Sequence, residues 1–162
     1  PTEGVMGLGC DPFNEKAVAK VRSLKARGSD QGLICVASDW AQCMAWVGPL
    51  SEVRIAAVMD TWPGPVTWVF EASDQAPKAV CACDGTVAIR VSAHPVVRSL
   101  CDAFGGALVS TSANPKGQAP CLDVNDVEQL WPDEIDATVH GTVQDAGSPS
   151  TICVANTSQT LR

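Results

Sequence analysis

The sequence contains no run of 18 or more apolar residues, and its start has no basic stretch leading into an apolar one. Neither a membrane-spanning helix nor a signal peptide is therefore expected. Metal-binding patterns are scarce as well. There are two histidines, and the eight cysteines, at positions 10, 35, 43, 81, 83, 101, 121 and 153, include no Cys-x-x-Cys pair, which argues against a zinc site. Most of these cysteines have apolar neighbours, as small buried hydrophobes do, so reduced thiols in a cytoplasmic protein are expected instead of a disulfide framework. The phosphate loop Gly-x-x-x-x-Gly-Lys-Ser/Thr and the hydrolase elbow Gly-x-Ser-x-Gly are both missing. Gly7-x-Gly9 does not open a dinucleotide fingerprint, because Cys10-Asp11-Pro12 breaks the continuation.

What is there suits one α/β domain over residues 1–162. At 46% hydrophobic the chain is long enough to bury a core and too short to favour two. No internal repeat, low-complexity tract or long linker divides it. The net charge of -7 repels a nucleic-acid backbone over most of the surface. Against that background Lys16, Lys20, Arg22, Lys25 and Arg27, five of the eleven basic residues, fall in one short stretch, a local basicity suited to a small anion.

Helical and strand patterns alternate. Asn14 can cap a helix over residues 15–26, with Ala17, Val18, Val21 and Leu24 on one face and Gly28 at its stop. Residues 33–37 read as a buried strand. Ser38 or Asp39 can cap a helix running to Trp46, and Ser51 another that Pro63 ends. Residues 66–71 and 87–91 are strand-like. Pro95 fits the first turn of a helix over 95–104, closed by Gly105-Gly106 and followed by a strand over 107–111. A short helix at 124–130 and a strand at 151–155 complete the pattern.

Three groups carry candidate chemistry. Lys25-Ala26-Arg27 is either a solvated pair complementing a helix C-terminus or two cations on one anion; the second reading needs the helix to end near Ala26, since residues two apart on a helix diverge. Ser110-Thr111-Ser112-Ala113-Asn114 either turns the chain before Pro115 or offers hydroxyls, an amide and loop N–H groups to a phosphate. Arg90, in an otherwise apolar strand, needs a carboxylate, from the protein or from a ligand. His94, just before Pro95, reads as a helix-start residue and not as a base, and His140 is uninformative.

Pro1-Thr2-Glu3, Trp62-Pro63-Gly64-Pro65, Ala88-Ile89-Arg90-Val91 before His94-Pro95, and Ser110-Thr111-Ser112-Ala113-Asn114, in this order and spacing, resemble the YrdC/TsaC family of threonylcarbamoyl-AMP synthases over the whole chain. The resemblance implies a single twisted domain with a mixed sheet and an open, positively charged cleft; in that family a short strand-bearing segment precedes the Pro-Thr-Glu. It implies synthesis of L-threonylcarbamoyladenylate from L-threonine, bicarbonate and ATP, with Mg2+ bound mainly through the ATP phosphates. Downstream tRNA-modification proteins would use the product, and contact with tRNA itself would be weak or transient. Lys25, Arg27, Ser112 and Asn114 take the catalytic positions by this resemblance. Thr2, Arg90, Ser110 and Ser150 take the L-threonine positions, and Thr86 and Arg162 join Arg27, Ser112 and Asn114 at the nucleotide. Two positions depart from the pattern, Gly28 for a proline and Met6 for an aromatic residue. A structured-RNA-binding module of the same fold without chemistry, and a paralogue acting on a related carbamoyl compound, remain the alternatives.

Overall fold

The computed structural model describes residues 1–145 and 150–161. The chain forms β1 (Gly7–Cys10), α1 (Glu15–Leu24), β2 (Ile34–Ala37), α2 (Glu52–Met59), β3 (Val66–Glu71), β4 (Thr86–Val91), α3 (Pro95–Phe104), β5 (Leu108–Ser112), α4 (Val124–Leu130) and β6 (Thr151–Val154). The strands make one six-stranded sheet in the order β1-β5-β2-β4-β3-β6. It is mixed: β2 runs parallel to β4 and β3 to β6, whereas β1–β5, β2–β5 and β3–β4 are antiparallel. Among the described residues no helix is long and apolar enough to cross a membrane.

The central strands β2 and β4 are apolar and deeply buried, as strands covered on both faces must be; Cys35, Ala37 and Ile89 have no exposed surface. Trp62, Trp68 and Phe70 join them in the main core, where the Trp62 and Phe70 rings lie 6.1 Å apart. Helix α1 is capped by the Asn14 side chain, which accepts from the Ala17 N–H, and it buries Val18 and Val21. Helix α3 has Pro95 in its first turn and ends on left-handed Gly105, at φ 82°.

Most elements match the expectations to within a residue or two. Between β2 and α2 the chain makes two short 3-10 turns, Trp40–Gln42 and Met44–Trp46, where one α-helix was expected; Asp39 caps the first. Helix α2 stops at Met59, four residues before the proline expected to end it. Strand β1 had no counterpart in the reading of hydrophobic pattern, because its two glycines weaken the strand signal. Those glycines serve the pairing: a Cβ on Gly9 would lie 2.8 Å from the Val109 carbonyl oxygen, and one on Gly7 would press on Ser110 Oγ and Thr2 at 3.3 Å. All eight cysteines are free, and burial pushes the Cys43 thiol up to about 12.

Candidate active site

A cavity of about 440 Å3 opens where the first residues, the end of α1, β4, the end of β5 and the start of β6 meet. Thr2, Lys25, Arg27, Arg90, Ser110, Ser112, Asn114 and Ser150 all line it, so eight of the expected site residues come together. Thr86 does not. It shares a face with Arg90 but lies four residues earlier on β4, outside the lining, and its hydroxyl donates to Asp84 Oδ1 at 2.7 Å. Arg162 lies outside the described residues.

The end of α1 makes the Lys-x-Arg arrangement workable. The Ala26 N–H bonds to Ser23 O at 3.0 Å and the Arg27 N–H to Arg22 O at 3.0 Å, a Schellman closure with Ala26 itself left-handed at φ 46°. The turn is therefore made at Ala26 and not at Gly28. It breaks the helical phase directly between the two cations, which is why both reach the cavity. Two of the other basic residues of the stretch have structural duties, while Lys16 is exposed. Arg22 donates to the carbonyls of Gly28, Gln31 and Ala79, pinning the following loop, and Lys20 pairs with Asp136 at 2.8 Å on the surface.

Lys25 is tied to the Ser-x-Asn loop. Its ammonium lies within hydrogen-bonding distance of Ser112 O (2.5 Å), Asn114 O (2.9 Å), Asn114 Oδ1 (3.1 Å) and Ser112 Oγ (3.4 Å). Burial and then the neighbouring Arg27 charge hold its pKa below the usual lysine value. Ser112 Oγ donates to Asn114 Oδ1 at 2.6 Å, while Asn114 Nδ2 donates to the carbonyls of Pro115 and Gln118. The loop after β5 is thus a turn closed by its own polar side chains, which hold Lys25 at the cavity.

Opposite this cluster, Thr2 closes a tight turn through its hydroxyl to Val5 O, and Ser150 Oγ meets buried Thr67 Oγ1 at 3.0 Å. Arg90 Nη1 pairs with Glu3 Oε2 at 3.0 Å. Glu3 was not among the expected site residues, although it stands in the Pro-Thr-Glu that carried the resemblance. Met6 packs with Leu8, Val124, Val127 and Trp131 instead of lining this cavity. His94 is buried at the start of α3 with Nε2 3.0 Å from Thr142 O, a structural position as expected.

The described lining holds three cations, hydroxyls and an amide, and no carboxylate. That is a donor set for anions; it does not fit a protein-ligated Mg2+. A second cavity of about 440 Å3, walled largely by apolar side chains such as Val21, Leu24, Val97 and Phe104, has no comparable cluster of cations and hydroxyls.

The Sua5/YciO/YrdC family model, described as telomere recombination, matches residues 1–162. A protein of Coxiella burnetii named threonylcarbamoyl-AMP synthase is 43% identical over 162 residues, covering 100% of this chain and 87% of its own length. One of the same name from Halorhodospira halophila is 46% identical over 152 residues, covering 94% of this chain and 80% of its own. The solved structure of a P. abyssi Sua5 variant, H234A/Y235A, superposes with a TM-score of 0.92 at 27% identity. It covers 100% of this chain, which spans half of that longer one (50%). P. abyssi Sua5 complexed with L-threonine matches with a TM-score of 0.87 at 27% identity, over 95% of this chain and 45% of its own. The chain belongs to the Sua5/YciO/YrdC family and is an enzyme of nucleotidyltransferase type.

Proposed function

We propose that this enzyme makes L-threonylcarbamoyladenylate from L-threonine, bicarbonate and ATP, releasing pyrophosphate. The observation that carries the reading is the convergence of Lys25, Arg27, Ser112 and Asn114 on one cavity whose wall also holds Arg90. The names of the curated relatives and the L-threonine complex of P. abyssi Sua5 support it.

The threonine amine adds to bicarbonate with loss of water, giving a carbamate. A carbamate oxygen then bonds to the α-phosphorus of ATP as the bond to the bridging oxygen of the β-phosphate breaks, and pyrophosphate leaves. Negative charge gathers where these anions meet, and in water their repulsion would oppose the step. Arg27 and Lys25 offset it from fixed positions, Ser112 and Asn114 orient the α-phosphate, and Arg90 with Thr2, Ser110 and Ser150 holds the amino acid. Mg2+ would arrive on the ATP phosphates. The adenylate is a reactive mixed anhydride that tRNA-modifying proteins would consume in the cytoplasm. The net charge of -7 keeps any direct contact with tRNA weak.

Incubation with ATP, L-threonine, bicarbonate and Mg2+, followed by mass detection, should yield the adenylate, with pyrophosphate release that requires both threonine and bicarbonate. Equal pyrophosphate release without threonine would overturn the assignment.

A further inference from the structure

Glu3 lies just behind the cavity wall and is fixed on several sides. Its Oε1 accepts from Ser92 Oγ at 2.7 Å and from the Ala93 N–H at 3.0 Å, and its carbonyl accepts from the Asp145 N–H at 2.7 Å. Its Oε2 meets Arg90 Nη1 at 3.0 Å, and both side chains are about nine-tenths buried. Arg90 rises from β4 between buried Ile89 and Val91, and neither its Nε nor Glu3 Oε2 has a hydrogen-bond partner among the described residues, so the contact between the two side chains is an ion pair. The protein therefore neutralises the guanidinium charge and leaves its hydrogen-bonding capacity unspent in a residue that lines the cavity.

This division matters for recognition. An arginine buried without a counter-charge would attract any anion and could settle in several rotamers. One paired with a fixed carboxylate is neutralised and drawn to one side, and it can grip a second carboxylate only with the N–H groups turned away from that partner. We propose that Glu3 is a positioning residue that sets the Arg90 fork for the carboxylate of the amino-acid substrate, making that contact directional. This rests on the function proposed above and adds to it a residue outside the cavity lining.

The Arg90 charge and the Ser92 and Ala93 hydrogen bonds outweigh the upward push of burial and hold the Glu3 carboxyl below its ordinary pKa, so the clamp stays ionised at neutral pH. Glu3→Gln keeps the shape but removes the charge. Whichever way the amide turns, either a neutral oxygen replaces the carboxylate or an NH2 group faces the guanidinium.

The test compares wild type, Glu3→Gln, Arg90→Lys and the double variant, measuring KM and kcat for L-threonine and for ATP alongside calorimetric threonine binding and a melting curve. Glu3→Gln should raise the threonine KM about tenfold, the size of one charge-assisted contact, with the ATP KM and the kcat at saturating threonine within about twofold. The double variant should bind threonine no worse than Arg90→Lys alone, because Glu3 acts through Arg90. Multiplying penalties, or parallel losses for threonine and ATP that track a lower melting temperature, overturn the proposal. Should Glu3→Gln not fold, Ser92→Ala removes one of the bonds that hold Glu3 and should raise the threonine KM selectively by about two- to fivefold; an unchanged value overturns it. Wild-type protein that binds no L-threonine overturns the functional reading as well, whereas wild-type binding matched by Glu3→Gln overturns the role of Glu3 alone.

Discussion

The Lys25 ammonium donates to Asn114 Oδ1 at 3.1 Å and to Asn114 O at 2.9 Å, joining the end of the first helix to a loop 89 residues later. Read locally, Asn114 is a turn residue whose loss should harm chemistry while sparing the fold. The contact changes that expectation, because Oδ1 also accepts from Ser112 Oγ and Nδ2 serves two carbonyls.

Asn114→Ala should therefore lower both turnover and stability. Loss of a charge-assisted hydrogen bond and its neutral neighbours corresponds to about 2–3 kcal/mol of destabilisation. Displacement of Lys25, the cation that Asn114 holds beside the phosphate, corresponds to about a hundredfold in rate. Denaturant unfolding and pyrophosphate release measured on the same preparation check this; an Asn114→Ala protein of wild-type stability would mean that Lys25 does not depend on this loop.

Arg27→Ala should separate the two effects in the other direction. Arg27 is only partly buried and lies beyond the end of α1, so the melting temperature should move by no more than about 2–4 °C, the equivalent of 1 kcal/mol in a domain of this size. Turnover should fall about ten- to a hundredfold or more with loss of contacts worth about 1.5–3 kcal/mol each. Unchanged turnover in a folded variant would return Arg27 to a surface role.

Ala26→Gly should stabilise the chain or leave it unchanged. Ala26 sits at φ 46°, a conformation that costs an ordinary L-residue about 1 kcal/mol and glycine almost nothing. A gain of up to about 1 kcal/mol is expected, reduced by the greater freedom of glycine in the unfolded chain. Clear destabilisation in a thermal melt would contradict the left-handed closure.

Acid should weaken the fold through Glu3. Its folded pKa lies below the ordinary carboxyl value, so its contribution is fully present above that ordinary value and is lost as pH falls through the folded one. Breaking a buried pair from one side costs about 3–5 kcal/mol at neutral pH, so Glu3→Gln should be less stable there. That deficit should narrow as pH falls below the ordinary carboxyl value, as the wild-type carboxylate takes up its proton. A gap between the two proteins that stays constant across this range would show that the pair does not carry the effect.

The sequence by itself determined the alternation of elements, the cap at Asn14, a second cap at either Ser38 or Asp39, the start of α3 at Pro95, and the motifs whose resemblance pointed to the family. These signals are local: a capping side chain or a proline acts within one turn, and hydrophobic periods are read in short windows. It also supplied the pieces of the cavity, since Lys25, Arg27, Arg90, Ser112 and Asn114 are polar residues out of keeping with their surroundings or clustered beyond what a turn requires. Tertiary structure decided what each piece does. Glycine was the expected stop for α1, but the chain reverses at Ala26, because strand β2 and the Arg22 contacts dictate where the next loop must go. A dense basic stretch resolved into two cations at the cavity, Arg22 spent on carbonyls, Lys20 on a surface carboxylate and Lys16 left exposed. Strand β1 was hidden by glycines whose value lies in how closely another strand approaches them. The partner of Arg90 proved to be Glu3, 87 residues away, a pairing that no local pattern encodes because the loop after β4, through Ser92 and Ala93, holds Glu3 beside the strand.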